Sequence, residues 1–253
     1  MFGFQYSKLD ANEIVDEITR PREAGAQGAK IIVTANSDHI GRLTTDEVFR
    51  KAYLYASIRT ADGFLVHYYA LLRGERIPRV TGCEILAALM RNRDLTSQRL
   101  FFVADSDATT AGLRKWAAGR NFPASNFEIV VPPYQFELDQ TYTEALVARI
   151  REFAPSILVL GVGAPKSEKF AYVHRNLLPA CWVLSVGEAV KIEAGVKQRA
   201  PLIMQRLNLE WFWRLAHEPR RLFRRYTWDM RRFFFAIIQD IRGAYDNPEP
   251  PIP

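Results

Sequence analysis

The 253-residue chain has few cysteines, few histidines and no long apolar run, and each shortage excludes a class of protein. Its two cysteines, Cys83 and Cys181, lie in apolar stretches without CxxC spacing. That arrangement argues against a secreted disulfide framework and against a structural zinc site. Both cysteines read as small buried hydrophobes in a reducing compartment. The four histidines, His39, His67, His174 and His217, form no HExxH or carboxylate-paired pattern, and no GxSxG is present. The composition therefore points away from metal ligation and from a Ser-His-Asp system. The most apolar windows, Leu100 to Ala104 and Ile157 to Gly163, fall well below the roughly twenty residues that span a bilayer, so any membrane contact is expected to be peripheral. Met1 to Arg20 carries Asp10, Glu13, Asp16 and Glu17 without a continuous apolar stretch and does not read as a secretory signal.

What is present is an uneven charge. The formal net charge is +6, and from Arg199 onward there are ten arginines, no lysine and six acids, so four of the six net charges fall in the last fifth of the chain. Before Gly195 no internal repeat, low-complexity segment or long linker interrupts the sequence.

The first four-fifths alternates short β-rich apolar runs with amphipathic stretches, the pattern of a layered α/β domain. Strands are predicted at Ile31 to Thr34, Leu100 to Val103, Phe127 to Val131, Ile157 to Leu160 and Trp182 to Ser185, with a possible short one at Ser57 to Thr60. Asp105-Ser106-Asp107 supplies an N-cap for a helix through Leu113 and Trp116. The turn Gly161-Val162-Gly163-Ala164-Pro165-Lys166 leads from a strand into another helix. Two such βα units predict a parallel sheet. Residues 1–198 are thus expected to form the α/β domain, 199–245 a basic amphipathic helical appendage and 246–253 a disordered Pro-rich tail.

Pro219 is predicted to start a new helix. Along it Leu222, Tyr226, Met230, Phe233, Ile237 and Ile241 recur at helical spacing, flanked by Arg221, Arg225 and Arg232 on one side and Arg220, Arg224 and Arg231 on the other. An aromatic stripe between arginines suits the surface of an anionic bilayer. The same stripe would equally pack on the α/β domain or form an oligomer interface.

Local motifs leave the chemistry open. Gly161 to Lys169 places backbone amides and Lys166 where they would face a diphosphate, although a GxG after a strand also serves as a plain tight turn. It lacks Walker A and full GxGxxG spacing. Thr34-Ala35-Asn36-Ser37-Asp38-His39 follows the first strand, at the end where open α/β sheets place their sites, with Asn36 or Ser37 also suited to capping the next helix. Ala61-Asp62-Gly63 sets one carboxylate beside a flexible glycine, either a general base or a turn. Asp105-Ser106-Asp107 reads as a helix cap and not as a metal-binding DxD.

Taken in order, several segments resemble the WecG/TagA/CpsF family of bacterial glycosyltransferases, glycosyltransferase family 26. The matching stretches are Val33 to Asn36, Ala61 to Gly63, Arg79 to Gly82, Val131 to Tyr134, Gly161 to Lys169, Ala194-Gly195, Arg199 to Pro201 and Leu209 to Trp211. Arg214-Leu215, Glu218 to Arg221 and Arg224 to Tyr226 extend the match into the tail. The resemblance implies a Rossmann-like layered core with a mainly parallel sheet, of GT-E type, and a C-terminal appendage that meets the membrane. It implies inverting, metal-independent transfer of a hexose or hexosamine, such as N-acetylmannosamine, from a UDP-sugar to a polyprenyl-diphosphate-linked saccharide. The UDP-sugar would be a substrate, and no cofactor is implied. Location on the inner face of the cytoplasmic membrane and a role in surface polysaccharide synthesis follow, with a homo-oligomer possible and no nucleic-acid partner.

Carried over residue by residue, Asp62 matches the family's general base, with Thr34 and Asn36 beside the reacting centre. Gly161, Gly163, Pro165, Lys166, Ser167, Glu168, Gly187, Glu188 and Lys191 match its nucleotide-sugar side. Arg199, Arg214, Arg221 and Arg224 would stabilise the leaving UDP or hold the acceptor diphosphate. Two departures affect the donor side. Ser167 stands where the family often has glutamine, and Gly187-Glu188-Ala189-Val190-Lys191-Ile192 stands where it often reads Gly-Gly-Ala-Phe-Asp-Phe. They support a second reading, a nucleotide-sugar-binding protein without transfer activity. A basic nucleic-acid-binding protein, suggested by arginines interleaved with aromatics, ranks last.

Overall fold

A computed structural model of the protein describes residues 1–245 other than 24 and 208; at 206, 214 and 220–226 it describes the backbone alone. The tail 246–253, expected to be disordered, lies outside the described residues.

Six strands form one parallel sheet in the order β2-β1-β6-β5-β3-β4. They are β1 (Lys30–Ala35), β2 (Ile58–Ala61), β3 (Leu100–Val103), β4 (Phe127–Val130), β5 (Ile157–Leu160) and β6 (Trp182–Ser185). The four inner strands are apolar on both faces, as a parallel sheet covered on both sides requires. Side chains alternate between two cores. Ile31, Val33, Leu158 and Leu160 join one apolar cluster, and Ile32, Ile157, Val159 and Leu184 join the other.

Helices fill the connections: α1 (Ala11–Thr19), α2 (Ser37–Arg42), α3 (Glu47–Tyr55), α4 (Phe64–Leu72), α5 (Gly82–Arg91), α6 (Asp107–Gly119), α7 (Gln140–Phe153), α8 (Lys166–Val173) and α9 (Ala189–Glu193). α10 (Leu202–Arg206), α11 (Glu210–His217) and α12 (Pro219–Ile241) follow, with Pro219 in the first turn of α12 where its missing N–H costs nothing. Ser106 caps α6 by accepting from the Thr109 N–H. Among the described residues no helix is long and apolar enough to cross a membrane.

α12 lies against α2 so closely that a Cβ on Gly41 would stand 2.7 Å from Arg232 Cβ. The packed face holds Phe233 and Ala236, both buried in the same cluster as Phe49 and Ile40. Its far end is tied to the start of the chain: Asp240, itself buried, accepts from the Phe2 N–H and from the Tyr69 hydroxyl (2.6 Å).

The apolar stripe foreseen on α12 is therefore split. Phe233 is buried, Met230 and Ile237 are half-buried, Ile241 is exposed, and the side chains at 222 and 226 lie outside the described residues. The exposed aromatic face is a different one, formed by Trp228, Phe234, Phe235, Ile238 and Ile241 with Arg231 and Arg242 among them. Apolar residues occur almost all round this helix, so a stripe chosen by spacing picked up the packed face and missed the exposed one.

Candidate active site

The carboxyl ends of β1, β2 and β6 and the loop after β5 open into one cleft of ≈ 340 Å³, where ligands of open α/β sheets bind. Thr34 and Asn36 enter from the end of β1, Asp62 and Gly63 from the end of β2, Gly163 and Ala164 from the loop after β5, and Ser185 to Ala189 from the end of β6. α11 and α12 add Glu210, Trp211 and Asp229, so the last quarter of the chain forms one wall.

Asp62 is positioned by its backbone and by its carboxylate. Its N–H and that of Gly63 both donate to the Ala35 carbonyl (2.9 and 3.1 Å), pinning the turn to the end of β1. A Cβ on Gly63 would lie 3.1 Å from Asn36 Cα, so glycine lets the two loops close on each other. Asp62 Oδ2 accepts from the Gly82 N–H at the start of α5 (3.1 Å). That start is fixed by a capping box between Thr81 and Glu84. Beside it Arg79 and Val80 pair with the end of β2, which brings the Arg79 Nη1 to donate to the Asp62 carbonyl (3.4 Å). Asn36 lines the cleft and also caps α2, accepting from the His39 N–H (3.0 Å).

On the opposite side the residues matched to a donor site divide. Gly163 (φ +83°), Glu168, Gly187 and Glu188 line the cleft, with the two glycines so close that a Cβ on Gly187 would lie 3.4 Å from Gly163 Cα. Gly161 does not line it; a Cβ there would press on Val190 Cγ2 at 2.9 Å, so this glycine serves helix packing. Pro165 precedes α8 outside the lining. Lys166 points at the neighbouring loop, paired with Glu137 (3.1 Å) and over the exposed Tyr134 ring. Ser167 is buried and donates back to the Gly163 carbonyl (3.2 Å). Lys191 pairs with Asp105 (2.6 Å), whose other oxygen accepts from the Thr109 hydroxyl. Both departures at Ser167 and Lys191 are thus engaged within the fold.

The cationic wall also differs from the sequence expectation. Arg199 lies outside the lining and pairs with Glu210 (3.4 Å), while the side chains of Arg214, Arg221 and Arg224 lie outside the described residues. The cations lining the cleft among the described residues are Arg79, near Glu210 (4.0 Å), and Lys197, held between Glu188 and Glu218 (2.7 Å each). Burial works against the Lys197 charge, but the two carboxylates outweigh it and raise its pKa. In the sequence Arg79 stands within the matched stretch Arg79 to Gly82, and Lys197 stands in none. Lys197, Glu210, Trp211 and Asp229 reach the cleft from a segment far along the chain; Glu210 and Trp211 stand in a stretch that matches the family, while no local pattern marks Lys197 or Asp229.

Deepest of the acids is Glu168. Fully buried, it is pushed up to about 7 by loss of water and further by Asp38, against which its own backbone N–H and Arg42 pull down. Asp38 is itself bound to Arg42 (2.7 Å).

Comparison with known proteins adds a lineage to this geometry. The model of the family described as "Glycosyl transferase WecG/TagA/CpsF family" matches residues 1–247. Similar curated proteins include N-acetylglucosaminyldiphosphoundecaprenol N-acetyl-beta-D-mannosaminyltransferases of Staphylococcus aureus strains MW2, NCTC 8325 / PS 47 and MRSA252. Each is 26% identical over 192 residues, 76% of this chain and 73% of the relative.

Proposed function

From the premise that the chain belongs to the WecG/TagA/CpsF family of glycosyl transferases, we propose that it moves a hexose or hexosamine from a UDP-sugar to a polyprenyl-diphosphate-linked saccharide. The observation that carries the proposal is the single cleft at the carboxyl end of the sheet, where the oriented carboxylate of Asp62 meets Thr34, Asn36 and the paired glycines Gly163 and Gly187. Asp62 takes the proton of the acceptor hydroxyl as that oxygen attacks the anomeric carbon from the side opposite UDP; the carbon–oxygen bond to UDP breaks and the centre inverts. The charge that develops on UDP is met by Arg79, Lys197 and the arginines of the tail in place of a divalent ion. The acceptor named for the Staphylococcus aureus relatives, a diphosphoundecaprenol-linked N-acetylglucosamine, is of the class proposed here.

In this reading residues 199–245 are the acceptor-side appendage, acting at the inner face of the cytoplasmic membrane in surface polysaccharide synthesis. Membrane contact is made by the exposed face of α12, whose aromatics and arginines suit an anionic surface.

The test is turnover of purified protein with a panel of UDP-sugars and vesicles carrying a polyprenyl-diphosphate-linked acceptor, with and without a chelator. One donor is expected to give lipid-linked product in both conditions, and Asp62→Asn is expected to lower kcat by about 10²- to 10⁴-fold with the fold intact. UDP-sugar binding without product from any donor would favour instead the binding-protein reading, which draws on Ser167 and Lys191 being spent inside the fold.

A further inference from the structure

Two polar atoms in the floor of the cleft have no hydrogen-bond partner among the described residues: Glu168 Oε2 and Ser185 Oγ. Each residue is 2% exposed. Folded proteins rarely bury such atoms unsatisfied, and where they do, a bound group commonly completes them. The two reach the cleft from different elements. Glu168 stands in the first turn of α8, just after the loop that carries Gly163. Ser185 ends β6, in register with Val33 of β1 and Leu160 of β5, one residue short of Thr34. The glycines that follow and precede them, Gly187 and Gly163, lie in contact and add no side chain to the floor between them.

The chemistry of this floor suits an uncharged polyol and opposes a phosphate. Among the described residues, the charges acting on Glu168 are Asp38 and Arg42 of α2, already paired to each other; Tyr53 of α3 feels Glu168 in turn, and Asp62, Glu188, Asp229 and His39 line the same cleft. Tyr53 is held neutral by burial and hydrogen-bonds to His39 Nδ1 (2.7 Å). Arg42, the cation that pulls toward its ionised form, is itself bound to Asp38, and a diphosphate would meet carboxylates there. The lining cations among the described residues are each already set against carboxylates, Arg79 near Glu210 and Lys197 between Glu188 and Glu218.

We propose that Glu168 and Ser185 bind the hydroxyl and amide substituents of the transferred sugar ring, Glu168 as an uncharged carboxylic acid that donates its proton in a hydrogen bond and Ser185 through its hydroxyl. This rests on the transferase reading above and sharpens the place of Glu168 within it, from the nucleotide side to the sugar itself. The raised pKa of Glu168 agrees with an uncharged donor up to about pH 7, and ionisation of that donor above it sets an alkaline limit on turnover.

The test separates sugar from nucleotide. With the donor that turns over, KM for UDP-sugar and the inhibition constant of UDP are measured for wild type, Glu168→Ala, Glu168→Gln and Ser185→Ala, with melting temperatures alongside. Glu168→Ala is expected to raise KM for the UDP-sugar about ten-fold or more, leaving UDP inhibition unchanged, and Ser185→Ala to act in the same sense by several-fold. Glu168→Gln keeps an N–H donor in place; it is expected to retain the wild-type KM and to lose the fall in kcat/KM that wild type shows above about pH 7. Equal weakening of UDP and UDP-sugar, unchanged KM in both alanine variants, or an alkaline limb retained by Glu168→Gln would each overturn the proposal while the transferase reading stands. Absence of turnover by wild type with every UDP-sugar would overturn that reading and this assignment with it.

Discussion

Replacing Glu168 by glutamine should stabilise the protein at alkaline pH and leave it almost unchanged at acid pH. In the fold the Glu168 carboxyl holds its proton up to about 7, against an ordinary value of 4.5, because burial removes the water that would solvate its charge. Between those two values the folded state binds a proton that the unfolded chain has released, so stability falls as pH rises, by ~1.4 kcal/mol per pH unit. Across the interval from 4.5 to about 7 the loss accumulates to ~3 kcal/mol, complete above about pH 7 and absent below 4.5. Glutamine has the same shape and no proton to lose, so its stability curve lacks this slope. Glu193, raised by burial, and His174, lowered by burial, titrate in both proteins and cancel in the difference. The assay is urea unfolding of wild type and Glu168→Gln at half-unit steps from pH 4 to 8.5, with the two free energies subtracted at each pH. A difference that grows with pH and levels off near 7 to 8 is expected. A flat difference would refute the reasoning, since it would mean that the carboxyl ionises in the fold as readily as in water.

Gly112→Ala is expected to destabilise by about 2 kcal/mol or more in thermal unfolding, although alanine normally gains ~1 kcal/mol over glycine within a helix, because its Cβ would sit 2.0 Å from the Ala194 carbonyl oxygen and neither backbone can yield cheaply. On α12, Phe233→Ala should cost about 3–5 kcal/mol in the same measurement with the exposed face intact. The pair Trp228→Ser and Phe235→Ser should instead change stability by less than about 1 kcal/mol and reduce co-sedimentation with anionic vesicles; loss of vesicle binding confined to Phe233→Ala would reverse the assignment of the two faces.

How much of this was legible in the sequence depends on whether the cause was local. The strands at 100–103, 157–160 and 182–185 were read to the residue because each is a short run in which every side chain is buried, a demand visible in composition alone. The cap left between Asn36 and Ser37 falls on Asn36, the one within Asp105 to Asp107 falls on Ser106, and α12 starts at Pro219, each set by chemistry local to its own few residues. What was not legible is order across the sheet. Nothing in Trp182 to Ser185 states that β6 inserts between β1 and β5, yet that insertion brings Ser185 and Glu188 to face Asp62. Motif reading also could not tell a glycine that spares room for a ligand from one that spares room for a helix. Gly161 and Gly163 stand two residues apart in one motif, and the first faces Val190 while the second lines the cleft.

The charges around the cleft add a constraint on how the donor enters. Arg79 approaches Glu210, and Lys197 is gripped by Glu188 and Glu218, so each lining cation already faces a carboxylate. Two of the three acids involved, Glu210 and Glu218, belong to the segment from α11 to the start of α12. A diphosphate that draws Arg79 and Lys197 to itself therefore exchanges a carboxylate for a phosphate and loosens the bonds that hold this wall to the sheet, leaving Glu210 and Glu218 to be met by other cations. The packing of Phe233 and Ala236 near Gly41 involves none of those ion pairs. On the proposed reading, donor binding is then linked by charge exchange to the ion pairs of the acceptor-side wall, while the far end of α12 stays tied to Phe2 and Tyr69 through Asp240.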